Sequence, residues 1–347
     1  MRRRAVIALL ALAGIALAAA SGLLIQDRIQ RARSLRLGGA AYDDRRFALA
    51  HRLALDHLRR WPDDRPALLL AARSLSRMRQ VDRAEALYQR AGPPFSVEDL
   101  HARADALVSS GRNAEAAEAY RALLARSPDD VLALRRLAAL EITLDRVREA
   151  SRLADRLIEI PDGAVIGYTL KGVIAYNGGV PEQSVAAFER VLQLDPGLEQ
   201  MPLNPREMFW GYLGRDLIRL GRAADARRHL GRALSEHPRD AGLMDLMARS
   251  YEQDGMLDQA ARCWRTAAEW DPTMPSPWLN LGRLALIEGD PAEAVRLLDR
   301  AAELAPGAPE PHHSLALAHR RLGHLEEAER HRLLADRLKA PDASPIP

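Results

Sequence analysis

The side chains best suited to chemistry in this sequence are arginines that recur at a fixed interval. Arg215, Arg249 and Arg283 follow one another at 34-residue spacing. A guanidinium group presents a planar fork of donors that matches a carboxylate, so arginines in register can bind an extended acidic segment or a C-terminal carboxylate. Tyr176 and Asn177 could add hydrogen bonds to a peptide backbone. The open alternative is chance, because arginine is abundant throughout the chain.

Other reactive residues do not form a pattern that predicts catalysis. His312, His313, His319, His324 and His331 crowd the C-terminal end, and His312 and His319 fall on one face of a helix, but no H-E-x-x-H spacing is present. We therefore predict no metal site, since a metal needs three or four converging ligands.

The remaining searches for a reactive centre also fail. Cys263 is the only cysteine, so no disulfide can form within the chain, and we interpret it as a packing residue. Phosphate-binding, dinucleotide-binding and nucleophile-elbow motifs are missing from the sequence. The sequence predicts no cofactor, no catalytic residue and no enzymatic activity.

Composition limits the class of protein further. Apolar residues make up 48% and aromatic residues only 5%, and the abundance of alanine, leucine, arginine and glutamate favours helix. The formal net charge of +3 is small for 347 residues and does not indicate nucleic-acid binding.

The elements that position the arginines recur with the same period. One copy of the pattern is Trp278, Leu281, Gly282, Gly289, Ala294, Ala301 and Pro306. Moving back by 34 residues gives Met244, Met247, Ala248, Gly255, Ala260, Ala267 and Pro272. The same phase divides the chain into nine units: 31–64, 65–96, 97–130, 131–164, 165–198, 207–240, 241–274, 275–308 and 309–342.

Two positions of each unit carry small residues. The eighth is Gly38, Ala72, Ala104, Ala138, Gly172, Gly214, Ala248, Gly282 and Ala316, and the twentieth is alanine except for Ser184. Small side chains at these points allow two helices to approach closely. Glycine at the turn predicts a positive φ angle that ends the first helix, at Gly111, Gly179, Gly221, Gly255, Gly289 and Gly323.

The pattern resembles the tetratricopeptide repeat (TPR), W-x2-L-G-x2-Y followed by A-x3-F and P, at 34 residues. The resemblance implies an all-α fold, a right-handed TPR α-solenoid in which helix-turn-helix repeats form a superhelix. It also implies that the first helix of each repeat lines the inner, concave face. The side chains that this places there as partner-binding candidates are Arg73, Arg215, Arg219, Arg249, Arg283, Tyr176 and Asn177, with Arg320 and Arg321 nearby.

The known carboxylate clamp of chaperone-binding domains in this family is not expected here. Leu35, Leu69 and Leu279 occupy the corresponding fifth position, where that clamp requires lysine.

Several segments depart from the regular pattern. Residues 199–206, EQMPLNPR, form an insertion that Pro202 and Pro205 keep out of helix, and we expect an exposed loop. It is either a tolerated insertion or a lip that closes over a ligand. Arg79 and Asp145 stand where other units have the turn glycine, so local opening should concentrate there. Residues 343–347 are a proline-rich tail.

The N-terminal segment, residues 1–30, predicts a membrane anchor. Three arginines precede 21 uncharged residues, from Ala5 to Ile25, which is enough helix to span a bilayer. Arg2–Arg4 favour a body on the extracytoplasmic, periplasmic side, whereas arginines after the span favour the reverse. Cleavage after Ala20, which would release a secreted or periplasmic protein, is the alternative.

These observations predict a membrane-anchored scaffold or adaptor that binds a protein or peptide partner. Assembly or biogenesis at the bacterial cell envelope is the expected setting. The alternatives are an enzyme whose site is assembled on the repeats, and a binder of glycan or cell-wall polymer; the latter would use Tyr42 and Tyr176 for stacking.

Overall fold

The structure is a computed structural model that describes residues 2–203 and 206–339, with side chains from residue 21 onward. The described residues form 18 helices and no strand, so the prediction of an all-α fold is confirmed. The chain divides into two units, Met1–Gly163 and Ala164–Pro347.

The first unit is a stack of helical hairpins. Its helices are α1 (Arg2–Asp43), α2 (Phe47–Arg60), α3 (Arg65–Arg77), α4 (Val81–Ala91), α5 (Val97–Ser109), α6 (Asn113–Arg126), α7 (Val131–Thr143) and α8 (Val147–Glu159). Successive helices pack on each other, and α3 also packs on α1 and α5. First helices of neighbouring hairpins therefore lie side by side.

The second unit repeats this arrangement. Its helices are α9 (Ala164–Asn177), α10 (Pro181–Leu194), α11 (Glu207–Arg219), α12 (Ala223–Glu236), α13 (Ala241–Gln253), α14 (Leu257–Trp270), α15 (Pro275–Glu288), α16 (Pro291–Leu304), α17 (Pro309–Leu322) and α18 (Leu325–Lys339). The first helices α9, α11 and α13 contact in sequence, as do α15 and α17.

Close approach of paired helices at the eighth position is visible in the second unit. A Cβ atom built on Gly282 would lie 2.6 Å from Leu298 Cγ, and one on Gly214 would lie 2.9 Å from Leu230 Cδ2. The residues at the twentieth position, from Ala50 to Ala328, are all buried. Small residues at these two positions are therefore required by packing, as the sequence pattern predicted.

The turns between paired helices share one backbone conformation. All six predicted turn glycines have positive φ angles, between 69° and 86°. Arg79 and Asp145, which replace glycine in two repeats, adopt the same left-handed conformation with φ of 59° and 57°. The turn geometry is thus kept even where the residue disfavours it.

Helix starts are fixed by aspartate caps in several repeats. Asp64 accepts a hydrogen bond from the amide of Ala67 at the start of α3, and Asp240 accepts one from Leu243 at the start of α13. Asp64 is also bonded to Arg31 and lies 3.0 Å from His57. Burial opposes ionisation of Asp64, but these hydrogen bonds hold its pKa below the usual value.

The N-terminal helix continues into the first repeat. Helix α1 runs without a break from Arg2 to Asp43, so residues before and after position 30 belong to one helix. Side chains are described from residue 21 onward, so most of the predicted span at residues 5–25 lies outside them. The predicted tail at residues 343–347 also lies outside the described residues. Within the described part of the chain, no helix is both long and apolar enough to cross a bilayer.

A candidate partner-binding face

The first arginine of the recurring series lies against two tyrosines. Arg215 on α11 donates from Nη1 to the hydroxyl of Tyr176 at the end of α9, over 2.6 Å. Arg219 lies 5.5 Å from the centroid of the same tyrosine ring and pairs with buried Asp216 at 3.1 Å. Tyr212 packs on Tyr176 with ring centroids 4.4 Å apart. The structure therefore brings three predicted site residues, Tyr176, Arg215 and Arg219, into one cluster.

A buried carboxylate lies behind the next arginine. Asp245, one turn before Arg249 on α13, is 5% exposed and accepts hydrogen bonds from the Trp264 indole at 3.1 Å and the Ser276 hydroxyl at 2.9 Å. Burial raises the pKa of Asp245, while the positive charges of Arg249 and Arg215 oppose that rise. Helices α11 and α13, which carry Arg215 and Arg249, pack on each other.

The third arginine of the series, Arg283, lies between the last two hairpins. Arg283 is exposed on α15 and borders a groove with Glu310, His313 and Ser314 of α17. Arg215 and Arg249 are exposed as well. We call the set Arg215, Arg219, Arg249, Arg283 and Tyr176 the arginine face.

Arg73 belongs to the other unit and is engaged there. Its guanidinium pairs with Glu98 and, at 3.0 Å, with Asp99 on α5, and it stacks 5.1 Å from the centroid of the Tyr42 ring. With its side chain only 19% exposed, Arg73 ties α3 to α5 instead of facing solvent. Its contacts within the first unit already occupy its charge.

The insertion differs from the expected exposed loop. Residues 199–203 are not helical, as Pro202 predicted, but Met201 is buried and packs in a core with Phe209 and Trp210. The amides of Glu199 and Gln200 donate to the carboxylate of Asp195 at 3.0 and 2.7 Å. The described part of the insertion is anchored because it buries an apolar side chain. Residues 204 and 205 of the insertion lie outside the described residues.

Asn177, another predicted site residue, is exposed at the end of α9.

Family models identify the repeat. Models of the tetratricopeptide repeat match residues 246–309, and residues 107–164 and 285–336. The chain is a tetratricopeptide repeat protein. Repeats of this family form extended surfaces for protein–protein interaction and generally carry no catalytic centre. The matched ranges include Arg249 and Arg283 of the arginine face.

Individual relatives are distant from this TPR chain. Protein CTR9 homolog of Arabidopsis thaliana is 24% identical in an alignment of 274 residues, and the match covers 68% of this chain and 25% of the relative. The chain therefore spans about a quarter of the length of that relative.

Solved structures of other TPR proteins superpose in part. A tetratricopeptide repeat protein from Parabacteroides merdae has a TM-score of 0.48 and 17% identity, covering 70% of this chain and 93% of its own. YrrB, a TPR protein with an unusual peptide-binding site, has a TM-score of 0.47 and 21% identity, covering 57% of this chain and 98% of its own. Such partial superposition does not identify a ligand for this TPR chain.

The histidines of the last TPR repeat are closer together than their spacing predicted. His312 and His331 approach to 3.2 Å between their Nδ1 atoms, and His319 stacks on His331 with ring centroids 5.4 Å apart. Among the described residues, no group of three or more histidine, cysteine, aspartate or glutamate side chains is arranged to hold a metal ion. Sequence reasoning missed the contact because His331 lies on the partner helix, α18.

Cys263 is half-buried on α14 of the same TPR array. Burial raises the pKa of its thiol, with Arg262 opposing the shift. A thiol held protonated at neutral pH is a poor nucleophile, which agrees with the interpretation of Cys263 as a packing residue.

One contact in the TPR array combines serine, histidine and aspartate, the residue types of a serine hydrolase triad. Ser34 Oγ lies 2.7 Å from His57 Nδ1, and His57 Nε2 lies 3.0 Å from Asp64 Oδ2. Ser34 sits in the middle of α1, where backbone amides are used within the helix and cannot stabilise an oxyanion. Asp64 is also occupied as the cap of α3. The contact therefore fixes the first two hairpins.

The aromatic residues considered for sugar stacking are not free. Tyr42 is 7% exposed and packs edge-on against Phe47, and Tyr176 is covered by Tyr212. Stacking on a sugar requires an open ring face. These positions do not favour a glycan-binding site.

Proposed function

We propose that this TPR protein is a membrane-tethered scaffold that holds an acidic, extended protein segment on its arginine face. The observation that carries the proposal is the exposure of Arg215, Arg249 and Arg283 at one position of three successive repeats. Arg215 and Arg249 both oppose the rise in the pKa of Asp245, and their helices α11 and α13 pack on each other. Carboxylates that follow the repeat would meet one guanidinium after another.

The spacing of the helices specifies the partner further. Neighbouring packed helices lie about 8–10 Å apart, and an extended chain advances ~3.3–3.6 Å per residue. An extended partner would therefore match Arg215 and Arg249, whose helices α11 and α13 pack together, with acidic side chains about three residues apart. Arg320 and Arg321, three and four residues beyond the corresponding position of α17, would add positive charge to the last repeat.

Apolar side chains accompany the arginines at inner-face positions. Met208, Ile287 and Leu317 are 40%, 69% and 43% exposed. Exposed apolar residues beside positive charge suit a partner that alternates acidic and apolar side chains. Arg215 is held by Tyr176 in the free protein, so the phenol orients the guanidinium before a carboxylate arrives.

The tether belongs to the proposal as well. It rests on the 21 uncharged residues from Ala5 to Ile25 behind three arginines. The short basic segment at the start favours a periplasmic body in a bacterial envelope, where the scaffold would act in assembly or biogenesis.

Binding to a designed peptide tests the arginine face. The full chain in detergent would be titrated into a fluorescent peptide with glutamate at every third position, and into the same peptide with glutamine instead. We expect the triple variant Arg215→Ala, Arg249→Ala, Arg283→Ala to bind the acidic peptide about tenfold more weakly, because three exposed contacts of ~0.5 kcal/mol are lost.

A matched control exists in the same repeats. Arg228, Arg262 and Arg296 are exposed on the second helices α12, α14 and α16, again one per repeat. Replacing all three by alanine changes the net charge equally and should leave the affinity within about twofold. Equal losses in the two triple variants, or no preference for glutamate over glutamine, would show that the arginine face is not the site.

Fractionation tests the tether. The full chain should stay in the membrane pellet after an alkaline carbonate wash, whereas a chain starting at Gln26 should be released. Protease added to spheroplasts should digest the repeats if the body is periplasmic. Release of the full chain by carbonate would reject the tether and leave the peptide-binding result unaffected.

A further inference from the structure

Three imidazoles meet in the last repeat, outside the arginine face. His312 and His319 lie on α17 and His331 on α18. The ring planes of His312 and His331 are 21° apart and those of His319 and His331 are 6° apart, with centroids 5.4 Å apart in both pairs. We call these three residues the histidine stack.

The contact between His312 and His331 depends on protonation. With their Nδ1 atoms 3.2 Å apart, one ring donates its N–H and the other must accept with a lone pair. If both rings are protonated, two N–H groups face each other and two positive charges are in contact. The hydrogen bond between α17 and α18 therefore exists only while at least one imidazole is neutral.

The surroundings favour the neutral form. Burial lowers the pKa of His312, and Asp299 on α16 opposes this shift. Burial also lowers the pKa of His331, with His312, His319 and Arg330 acting in the same direction and Asp299 against it. Toward α15, α17 presents Arg321, which donates to the carbonyl of Leu286.

The sign of the pH effect follows from these shifts. A histidine whose pKa is lowered by folding stabilises the folded form above its unfolded value of 6.5, and this contribution is lost as pH falls below 6.5 toward the folded pKa. Helix α18 packs on α17, so loss of this contact acts on the hairpin at the end of the array.

We propose that the histidine stack is a proton-sensitive latch that keeps the last hairpin closed at neutral pH and releases it on acidification. Release separates α18 from α17 and uncovers Ala328 and Ala335, the buried residues of α18. The latch thereby links the terminal surface of the scaffold to the pH of its compartment.

Hydrogen exchange of the full chain tests the latch. After correction for intrinsic rates, opening of α17 and α18 should increase about tenfold more than opening of α13 and α14 between pH 7.5 and 5.5, as expected for loss of the hydrogen bond between α17 and α18. The double variant His312→Gln, His331→Gln should lose this difference. His313→Gln, an exposed neighbour outside the stack, should keep it.

A second measurement keeps the proposal testable if the double variant does not fold. Imidazole signals of the unmodified protein can be titrated by NMR, and His312 and His331 should both titrate below pH 6.5. Titration of both histidines at or above pH 6.5 would overturn the latch. It would also be overturned if hydrogen exchange of α17 and α18 depended on pH as strongly as that of α13 and α14 in the wild type.

Discussion

Gly172 on α9 lies directly against the ring of Phe188 on α10. A Cβ atom at position 172 would lie 2.5 Å from Phe188 Cε1 and 2.7 Å from Cζ, far inside van der Waals contact. Phe188 is fully buried and also packs against Phe209 at 5.1 Å between ring centroids. The ring therefore has little room to retreat, and the two helices can approach this closely only because residue 172 has no side chain.

Gly172→Ala should destabilise the second unit. Alanine would gain roughly 1 kcal/mol of helix propensity, but overpacking of a core site costs about 1–3 kcal/mol. We expect a net loss of about 1 kcal/mol in the free energy of unfolding, measured by urea denaturation of the full chain.

Gly231 on α12 provides the opposite case. It is exposed in a helix interior, and a Cβ there would meet nothing within 4 Å. Gly231→Ala should therefore stabilise by about 0.5–1 kcal/mol. If both variants shifted stability in the same direction, contact with Phe188 could not be the reason for glycine at 172.

The small residues show why so much of this fold could be predicted from sequence. Close packing admits only small residues at two points per hairpin, glycine or alanine in every case but Ser184, and a period of 34 residues makes that restriction visible without coordinates. The burial of Met201 could not be predicted in this way. The insertion occurs once, so no second copy indicated which of its residues packs inward.

Asp145 offers a site for stabilisation. Its φ angle of 57° places it in the left-handed region, where six other turns of the array have glycine. A non-glycine residue there costs ~1–2 kcal/mol, partly offset because glycine also loosens the unfolded chain.

Asp145→Gly should raise the free energy of unfolding by about 0.5–1 kcal/mol, and protection of α7 and α8 in hydrogen exchange should increase. The matched variant Gly111→Ala, at a turn with φ of 76°, should lower stability by a similar amount. Stability unchanged by Asp145→Gly would mean that the Asp145 side chain compensates for its backbone conformation.

The candidate site was less accessible to sequence reasoning than the fold. Periodicity found Arg215, Arg249 and Arg283, because a charged residue at one repeat position is as visible as a small one. It did not find Asp245, since a single acid has no recurrence. The one available signal was its position four residues before Arg249 on the same helix. Arg73 stands at the same repeat position, but its guanidinium is paired with Glu98 and Asp99 on α5.

Asp245 gives a pH-dependent prediction that joins stability to binding. Burial raises the pKa of Asp245 above 3.8, so its stabilising contribution is complete below pH 3.8 and is lost as pH rises through the folded pKa. At neutral pH the buried charge is therefore a cost. Asparagine at this position keeps the oxygen that accepts from Trp264 and Ser276 and removes the charge.

Asp245→Asn should melt at a higher temperature than the wild type between pH 6 and 8, and the difference should shrink as the pH is lowered toward 4. The same change removes a negative charge beside Arg215 and Arg249, so the glutamate peptide should bind more tightly, most clearly at low ionic strength. A variant that melts lower at neutral pH and binds the peptide more weakly would show the reverse: that the carboxylate orients the two arginines and that its pairing with them outweighs its burial.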